Sequence, residues 1–187
     1  LPAVTAGADT ESLLAGARGT SFEDAYRLAA HQYLHAKAGR NIVVLFPYAE
    51  KLRTFGDWHS QLLAESIGKS KKIGITPVTA MGVTDQHSLL QLFLDGPDDK
   101  FYIFIKPDRS AYKDIKIPGE RYGFEELFTA EYLGVKQNFA KRKKPFAEIS
   151  FPFLNEEILG ELFFFFELEV AFLGLLFGVD PETQPAV

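Results

Sequence analysis

The chain has 187 residues, a formal net charge of −5 and no cysteine. Its hydrophobic fraction of 47% and charged fraction of 24% are typical of a soluble globular domain with one core. The absence of cysteine excludes disulfides and thiolate metal sites, and the negative charge argues against nucleic-acid binding, which needs a basic face toward the phosphates.

Helix-like and strand-like segments alternate in the first half of the chain. A helix is predicted from Ser21 to Lys37, because apolar residues recur there at helical spacing. Asn41 to Phe46 is short, apolar and β-branched, which is typical of a strand buried on both faces. A second helix is predicted from about Thr54 to Gly68. A strand is predicted from Ile73 to Met81, although Pro77 limits its pairing.

The second half of the chain continues the alternation. Further helices are predicted from Asp85 to Gly96 and from Phe124 to Lys144, and further strands from Phe101 to Ile105 and from Ala147 to Phe153. A surface loop is predicted from Asp108 to Arg121. Strands that alternate with helices of this length indicate an α/β fold with a mostly parallel sheet, formed by residues 1–187 as one domain. We expect its ligand at the C-terminal edge of the strands.

The last predicted helix is rich in Phe and Leu. Asn155 caps it, and it ends near Gly178. Acidic residues interrupt its apolar stretch from Ile158 to Val179, and such charges are costly in lipid. We therefore expect a long core helix and no membrane contact. The N-terminus has no signal-peptide pattern, so a cytoplasmic location is expected.

Glu65 is the first candidate for chemistry. It shares a helix face with Gln61, four residues earlier, and it lies near the helix end. The negative end of the helix dipole disfavours the ionised form of a carboxylate, which makes such a group a better proton acceptor. The alternative is an exposed glutamate that pairs loosely with Lys69.

His87 is the second candidate. It follows a strand and a glycine, at the predicted start of a helix, where the dipole disfavours a protonated imidazole. A neutral imidazole there could pass protons to and from a ligand oxygen. The alternative is a histidine that satisfies a local backbone group. No histidine lies in a pattern with acids that indicates a metal site, so we expect neither a metal nor another cofactor.

Three segments together resemble the phosphoglucose isomerase (glucose-6-phosphate isomerase) family, and more closely its bacterial branch. The first, from Gln61 to Lys69, reads QLLAESIGK and matches the family's Glu-Ser-x-Gly-Lys motif. The second, from Gly82 to Lys100, reads GVTDQHSLLQLFLDGPDDK and matches its Gln-His motif. The third, from Leu159 to Pro185, matches its last long helix and the loop that ends with glutamine, and it reads LGELFFFFELEVAFLGLLFGVDPETQP.

The resemblance implies a three-layer α/β/α sugar-isomerase (SIS) domain around a parallel sheet of about five strands. It implies that Glu65 moves a proton between C2 and C1 of a sugar phosphate through a cis-enediol. His87 would help to open the sugar ring, from the neighbouring subunit of a homodimer. Gln184 would line the pocket near the phosphate, with Gln61 as a second binding residue. The substrates would be glucose 6-phosphate and fructose 6-phosphate, in glycolysis and gluconeogenesis.

Parts of the family's pattern are not in this chain. Its phosphate-holding loops belong to the other, N-terminal half, and its catalytic lysine follows the tail glutamine by seven residues, beyond Val187. The resemblance therefore predicts a C-terminal half that is inactive alone. Two alternatives remain open: a non-catalytic SIS module that binds sugar phosphates, and a scaffold whose Phe-rich helix packs against a partner.

Overall fold

The computed structural model describes residues 2–108 and 114–184, and in this part of the chain helices and strands alternate as predicted. The helices are α1 Pro2–Thr5, α2 Thr10–Gly19, α3 Phe22–Lys37, α4 Arg53–Ile67, α5 Leu90–Asp95, α6 Phe124–Lys141 and α7 Glu156–Phe177. The strands are β1 Ile42–Pro47, β2 Thr76–Thr79, β3 Lys100–Pro107 and β4 Phe146–Phe151. Two single 3₁₀ turns, Glu50–Leu52 and Thr84–Gln86, complete the list.

The sheet has the strand order β2-β1-β3-β4, and every neighbouring pair is parallel. Ile42 pairs with Thr76 on one side and with Lys100 on the other, so the three strands begin level with one another. The predicted α/β class and parallel sheet are thus confirmed. Within the described residues the sheet has four strands, where about five were expected.

Alternating side chains of the two central strands form two cores. Val43 and Leu45 of β1 face a cluster with α3, α4 and α7, and Val44 and Phe46 face a second cluster with α5 and α6. The helices thus form a layer on each side of the sheet. Both central strands are apolar on both faces because both faces are covered. The short strand with Pro77 lies at an edge, where a missing N–H is tolerated.

The N-terminal helix α2 crosses α7 at two glycines. A Cβ built at Gly16 would lie 1.7 Å from the carbonyl oxygen of Glu157, and one at Gly160 would lie 1.9 Å from that of Leu13. Only hydrogen fits at these two positions, so the two backbones pack in direct contact.

The predicted helix from Asp85 to Gly96 is wrong in its first part. The segment forms the 3₁₀ turn Thr84–Gln86, and the α-helix α5 begins only at Leu90. The Asp85 carboxylate is the physical reason, since it accepts the Met81 N–H at 2.7 Å and the Ser88 hydroxyl at 2.8 Å. These side-chain bonds hold a local turn in place of the first α-helical turn.

Three other predictions concern a loop, a membrane span and a metal site. The loop predicted from Asp108 to Arg121 falls partly on residues 109–113, which lie outside the described residues. Across the described ranges, none of the helices has the length and apolar character needed to cross a membrane. Those same ranges contain no group of three or more His, Asp or Glu side chains arranged to hold a metal ion.

Candidate active site

Glu65 lies at the edge of the sheet where the strands begin. Helix α4 leaves the end of β1 and returns the chain to the start of β2, so its last turn reaches the opposite edge from its first. The Thr76 N–H donates to the carbonyl of Asn41 at 2.8 Å, which fixes the start of β2 beside the start of β1. The carboxylate of Glu65 is therefore at the N-terminal edge and is exposed there.

Two amide side chains hold the Glu65 carboxylate. Gln61 Nε2 donates to Oε1 at 3.1 Å, from one turn earlier on the same helix face. Gln184 Nε2 donates to Oε2 at 2.7 Å, from 119 residues further along the chain. The structure thus brings together three of the four predicted site residues. Each carboxylate oxygen keeps a second lone pair for a ligand, because one amide occupies only one of them.

The segment from Gly178 to Gln184, here called the tail, folds back to reach Glu65. Gly178 ends α7 in the left-handed region with φ of 69°, and the Val179 N–H donates to the carbonyl of Gly174 at 3.0 Å. Pro181 then packs on Gly174, where a Cβ would lie 3.1 Å from the proline ring. The Asp180 side chain accepts the Glu182 N–H at 2.9 Å, so the tail turns toward α4.

Lys69 joins the tail to α4. Its Nζ donates to the carbonyl oxygen of Glu65 at 2.7 Å, to that of Thr183, and to that of Pro181 at 3.5 Å. From the sequence, Lys69 was the lysine of the Glu-Ser-x-Gly-Lys motif and a loose ion-pair partner of Glu65. A cation just after a helix C-terminus is the signal for a bond to the last carbonyls, but nothing in the sequence indicates the tail as its other partner.

His87 lies at the opposite edge of the sheet. It follows the 3₁₀ turn after β2, and its side chain is exposed. Tyr48 positions this turn: its hydroxyl accepts Gln86 Nε2 at 3.0 Å, and a Cβ at Gly82 would lie 2.5 Å from its ring. From Thr76 to Met81, a strand rise of about 3.3 Å per residue separates the two edges by roughly 17 Å.

The position of His87 corrects one prediction. It does not lie in the first turn of an α-helix, since the segment forms a 3₁₀ turn, so a helix dipole does not act on it as predicted. The ligand position at the C-terminal edge stays a prediction, and the Glu65 cluster itself lies at the N-terminal edge of the strands. Helix α4 runs back from the end of β1 to the start of β2. Residues in its last turn, such as Glu65, therefore lie beside the N-terminal ends of the strands.

Three polar side chains that were not predicted as site residues are buried in the core on the side of the sheet that α7 covers. Gln32, His59 and Glu169 are at most 1% exposed, and their side-chain polar atoms have no hydrogen-bond partner within the described residues. Burial raises the pKa of Glu169 to about 8 and lowers the pKa of His59 to about 4. The spacing of Phe166, Glu169 and Val170 on one helix face is the signal that could have indicated this burial.

The cluster of Gln61, Glu65 and Gln184 has the form of an exposed proton acceptor. Its carboxylate is oriented through both oxygens and is open to a ligand from solvent. A carboxylate in this state can take a proton from one atom of a bound molecule and return it to a neighbouring atom. The ammonium of Lys69, four residues after Glu65, bonds to main-chain carbonyls and not to the carboxylate.

Sequence relatives of the chain carry a common name. It is 36% identical to a glucose-6-phosphate isomerase of Carboxydothermus hydrogenoformans, of which it covers 46%. It is 38% identical to one of Rubrobacter xylanophilus, of which it covers 48%, and 32% identical to one of Methanocaldococcus jannaschii, of which it covers 50%. All three matches cover 100% of this chain, which spans about half the length of these curated relatives. No protein-family profile matches it.

Solved structures match as well. A hypothetical protein of Thermus thermophilus has a TM-score of 0.85 and 29% identity, over 100% of this chain and 50% of its own. A glucose-6-phosphate isomerase of Chlamydia trachomatis has a TM-score of 0.69 over 78% of this chain and 32% of its own. At 22% identity, the second match supports the fold alone.

Proposed function

The chain belongs to the glucose-6-phosphate isomerase family, of whose curated members it spans about half the length, and we propose that it is the C-terminal, SIS-fold half of such an enzyme. The complete protein would interconvert glucose 6-phosphate and fructose 6-phosphate in the cytoplasm, in glycolysis and gluconeogenesis. This half would supply the proton-transfer base, and the phosphate-binding groups would come from the half that this chain does not contain.

The observation that carries the proposal is the carboxylate of Glu65 held by two amides. An aldose–ketose shift needs one base that takes a proton from C2 and returns it to C1 of the cis-enediol. The bonds from Gln61 and Gln184 fix the direction of both carboxylate oxygens, so one group faces both carbons in turn. Gln184 also bounds the site on the tail side, where it would contact the bound sugar phosphate.

His87 would serve the site of a second copy of the chain. A proton-transfer group must come within about 3 Å of the atom it serves, and roughly 17 Å of sheet separates His87 from the edge that carries Glu65. The exposed His87 is open to a neighbouring molecule, where it would open the sugar ring. We therefore include a homodimer with shared sites in the proposal.

The first experiment is a coupled assay that converts glucose 6-phosphate to fructose 6-phosphate. The chain is assayed alone and together with the matching N-terminal half of the Carboxydothermus hydrogenoformans enzyme, each with Glu65 or with Glu65→Gln. We expect no turnover from the chain alone, turnover from the pair, and a loss of about 10²–10⁴-fold in the variant pair. A pair that binds sugar phosphate without turnover would instead support a non-catalytic SIS module.

A second experiment tests the shared site. The Glu65→Gln and His87→Ala chains are each assembled with the N-terminal half, then mixed and allowed to exchange subunits. Each mixed dimer holds one site with both native residues, so random mixing should restore about a quarter of the native activity. Mixing without any recovery would contradict the assignment of His87 to the neighbouring subunit.

A further inference from the structure

We infer that Lys69 is the positioning residue of the site: it fastens the tail to α4 and so places Gln184 on the Glu65 carboxylate. The expected effect of Lys69 on turnover rests on the proposed function. The contact between Lys69 and the tail can be tested on a chain that has no activity. The inference gives a role to a lysine whose ammonium bonds to main-chain carbonyls and not to the Glu65 carboxylate.

The contacts of Lys69 match the three donors of an ammonium group. One donor goes to the Glu65 carbonyl in the last turn of α4, and two go to the tail carbonyls of Pro181 and Thr183. The last of these carbonyls belongs to the residue just before Gln184. A displacement of the Thr183 carbonyl therefore moves the amide that bonds to Glu65.

The turn at the end of α4 is built for this contact. Gly68 follows the last helical residue, and a Cβ there would lie 2.6 Å from the carbonyl oxygen of Ala64. The Gly68 N–H donates to that same carbonyl at 2.9 Å, and the Lys69 N–H donates to the carbonyl of Ile67 at 2.8 Å. The tight turn brings the Lys69 side chain back along the helix end, toward Glu65 and the tail.

The tail depends on such a fastening because its surface is mostly open. Asp180, Glu182 and Gln184 are exposed, and the two hydrogen bonds of Asp180, to the Glu182 N–H and the Thr183 hydroxyl, stay within the turn. In the described residues, hydrogen bonds from two side chains tie residues 180–184 to α4, those of Lys69 and of Gln184. Without Lys69, only the hydrogen bond from Gln184 to Glu65 would hold residues 180–184 against α4 in the described part of the chain.

The test compares Lys69→Met, Lys69→Arg and a control, Lys71→Met, which changes an exposed lysine two residues away. Hydrogen exchange of the 187-residue chain is followed by mass spectrometry for the tail and for β1. A lost charge-assisted hydrogen bond should raise exchange of the tail about tenfold in Lys69→Met. Exchange of β1 should not change, Lys69→Arg should keep the tail within about threefold of native, and Lys71→Met should match native.

Turnover of the pair with the N-terminal half supplies the second readout. If Lys69 acts through Gln184, then Lys69→Met should lower kcat about as much as Gln184→Ala. Adding Lys69→Met to Gln184→Ala should then lower it less than twofold further. Unchanged exchange of the tail, or kinetic losses that multiply, would overturn the inference. Native turnover in Glu65→Gln would overturn the proposed function and leave the exchange result standing.

Discussion

Glu65 on α4 and Glu169 on α7 are two carboxyl groups on the same side of the sheet with opposite surroundings. Glu65 is exposed, and both of its oxygens accept hydrogen bonds from amides. Glu169 is 0% exposed, and within the described residues neither of its oxygens has a partner. Burial raises the pKa of Glu169 to about 8, so it is largely protonated at neutral pH.

The contrast separates activity from stability. Glu65 can change its partners without disturbing the core, because its neighbours are other surface side chains. Glu169 cannot contact a ligand, and its burial without a hydrogen-bond partner costs free energy of folding. Substitutions of Glu65 should therefore change turnover and leave the free energy of unfolding unchanged. Substitutions of Glu169 should change the free energy of unfolding and leave turnover unchanged.

Beyond the Glu65→Gln test, the largest effect on turnover is expected for Glu65→Asp in the assembled pair. Removal of one methylene draws the carboxylate back by about 1.5 Å, and a misplacement near 1 Å costs about 10²-fold in rate. Urea unfolding of the same variant should change by no more than about 0.5 kcal/mol, because the site is on the surface. Native turnover in this variant would contradict the requirement for an oriented base.

The next largest effect is expected for Glu169→Leu, and it is an effect on stability. The substitution replaces the buried carboxyl by an apolar group of similar volume. Removing an unpaired buried polar group should raise the free energy of unfolding by about 2 kcal/mol at pH 8. The control is Glu167→Leu, at an exposed position of the same helix, which should change it by no more than about 0.5 kcal/mol. A destabilised Glu169→Leu chain would indicate that the carboxyl has a partner in the folded protein.

The pH dependence of stability sharpens the same contrast. Folding raises the pKa of the Glu169 carboxyl to about 8. Its contribution to stability is fully present below its pKa in the unfolded chain, and it is lost as the pH rises through 8. His59, with a pKa lowered to about 4, contributes stability above about pH 6.5 and loses it as the pH falls. Between pH 6.5 and 8 the titration of Glu169 should dominate, with a loss of about 1.5 kcal/mol in the free energy of unfolding.

Urea unfolding at several pH values between 6.5 and 8 measures this loss. Most of this fall in stability should disappear in Glu169→Gln, whatever the absolute stability of that variant, and it should persist in His59→Phe. An undiminished fall in Glu169→Gln would assign the titration to another group.

The smallest effect is expected for Gln61→Ala. It removes the weaker of the two amide bonds to Glu65, at 3.1 Å, while the bond from Gln184 at 2.7 Å remains. Turnover of the pair should fall by less than about tenfold, and unfolding in urea should not change measurably. A loss as large as that of Glu65→Asp would show that Gln61 contacts the substrate directly.

Local patterns predicted most of the fold. The apolar runs at β1 and β3, and the helical spacing from Ser21 to Lys37, depend on near neighbours and on burial, which the sequence carries directly. The segment after Asp85 was mispredicted because one carboxylate bonds to the Met81 N–H and holds a turn. A turn held by such a side-chain bond and an α-helical turn are both compatible with these residues, and composition does not decide between them.

Motifs named the residues of the candidate site, but the sequence did not indicate how they are arranged in space. The residue types of Gln61, Glu65 and Gln184 came from motifs, and only the spacing of the first two could be turned into a contact. The bond from Gln184 spans 119 residues and follows from where α7 ends against α4. The tail contacts of Lys69 and the placement of His87 at the far edge likewise depend on the path of the chain through the sheet.

The crossing of α2 on α7 and the bond from Gln184 to Glu65 both join residues near the start of the chain to residues near its end. During synthesis, both contacts must therefore wait until the last residues have been translated. At about 5–20 residues per second, the 119 residues between Glu65 and Gln184 take roughly 6–24 s to translate. During that time α4 emerges with its carboxylate held by Gln61 alone, and α2 has no helix to cross. The nascent chain therefore acquires its N-terminal packing and its completed base only when its final helix and tail emerge.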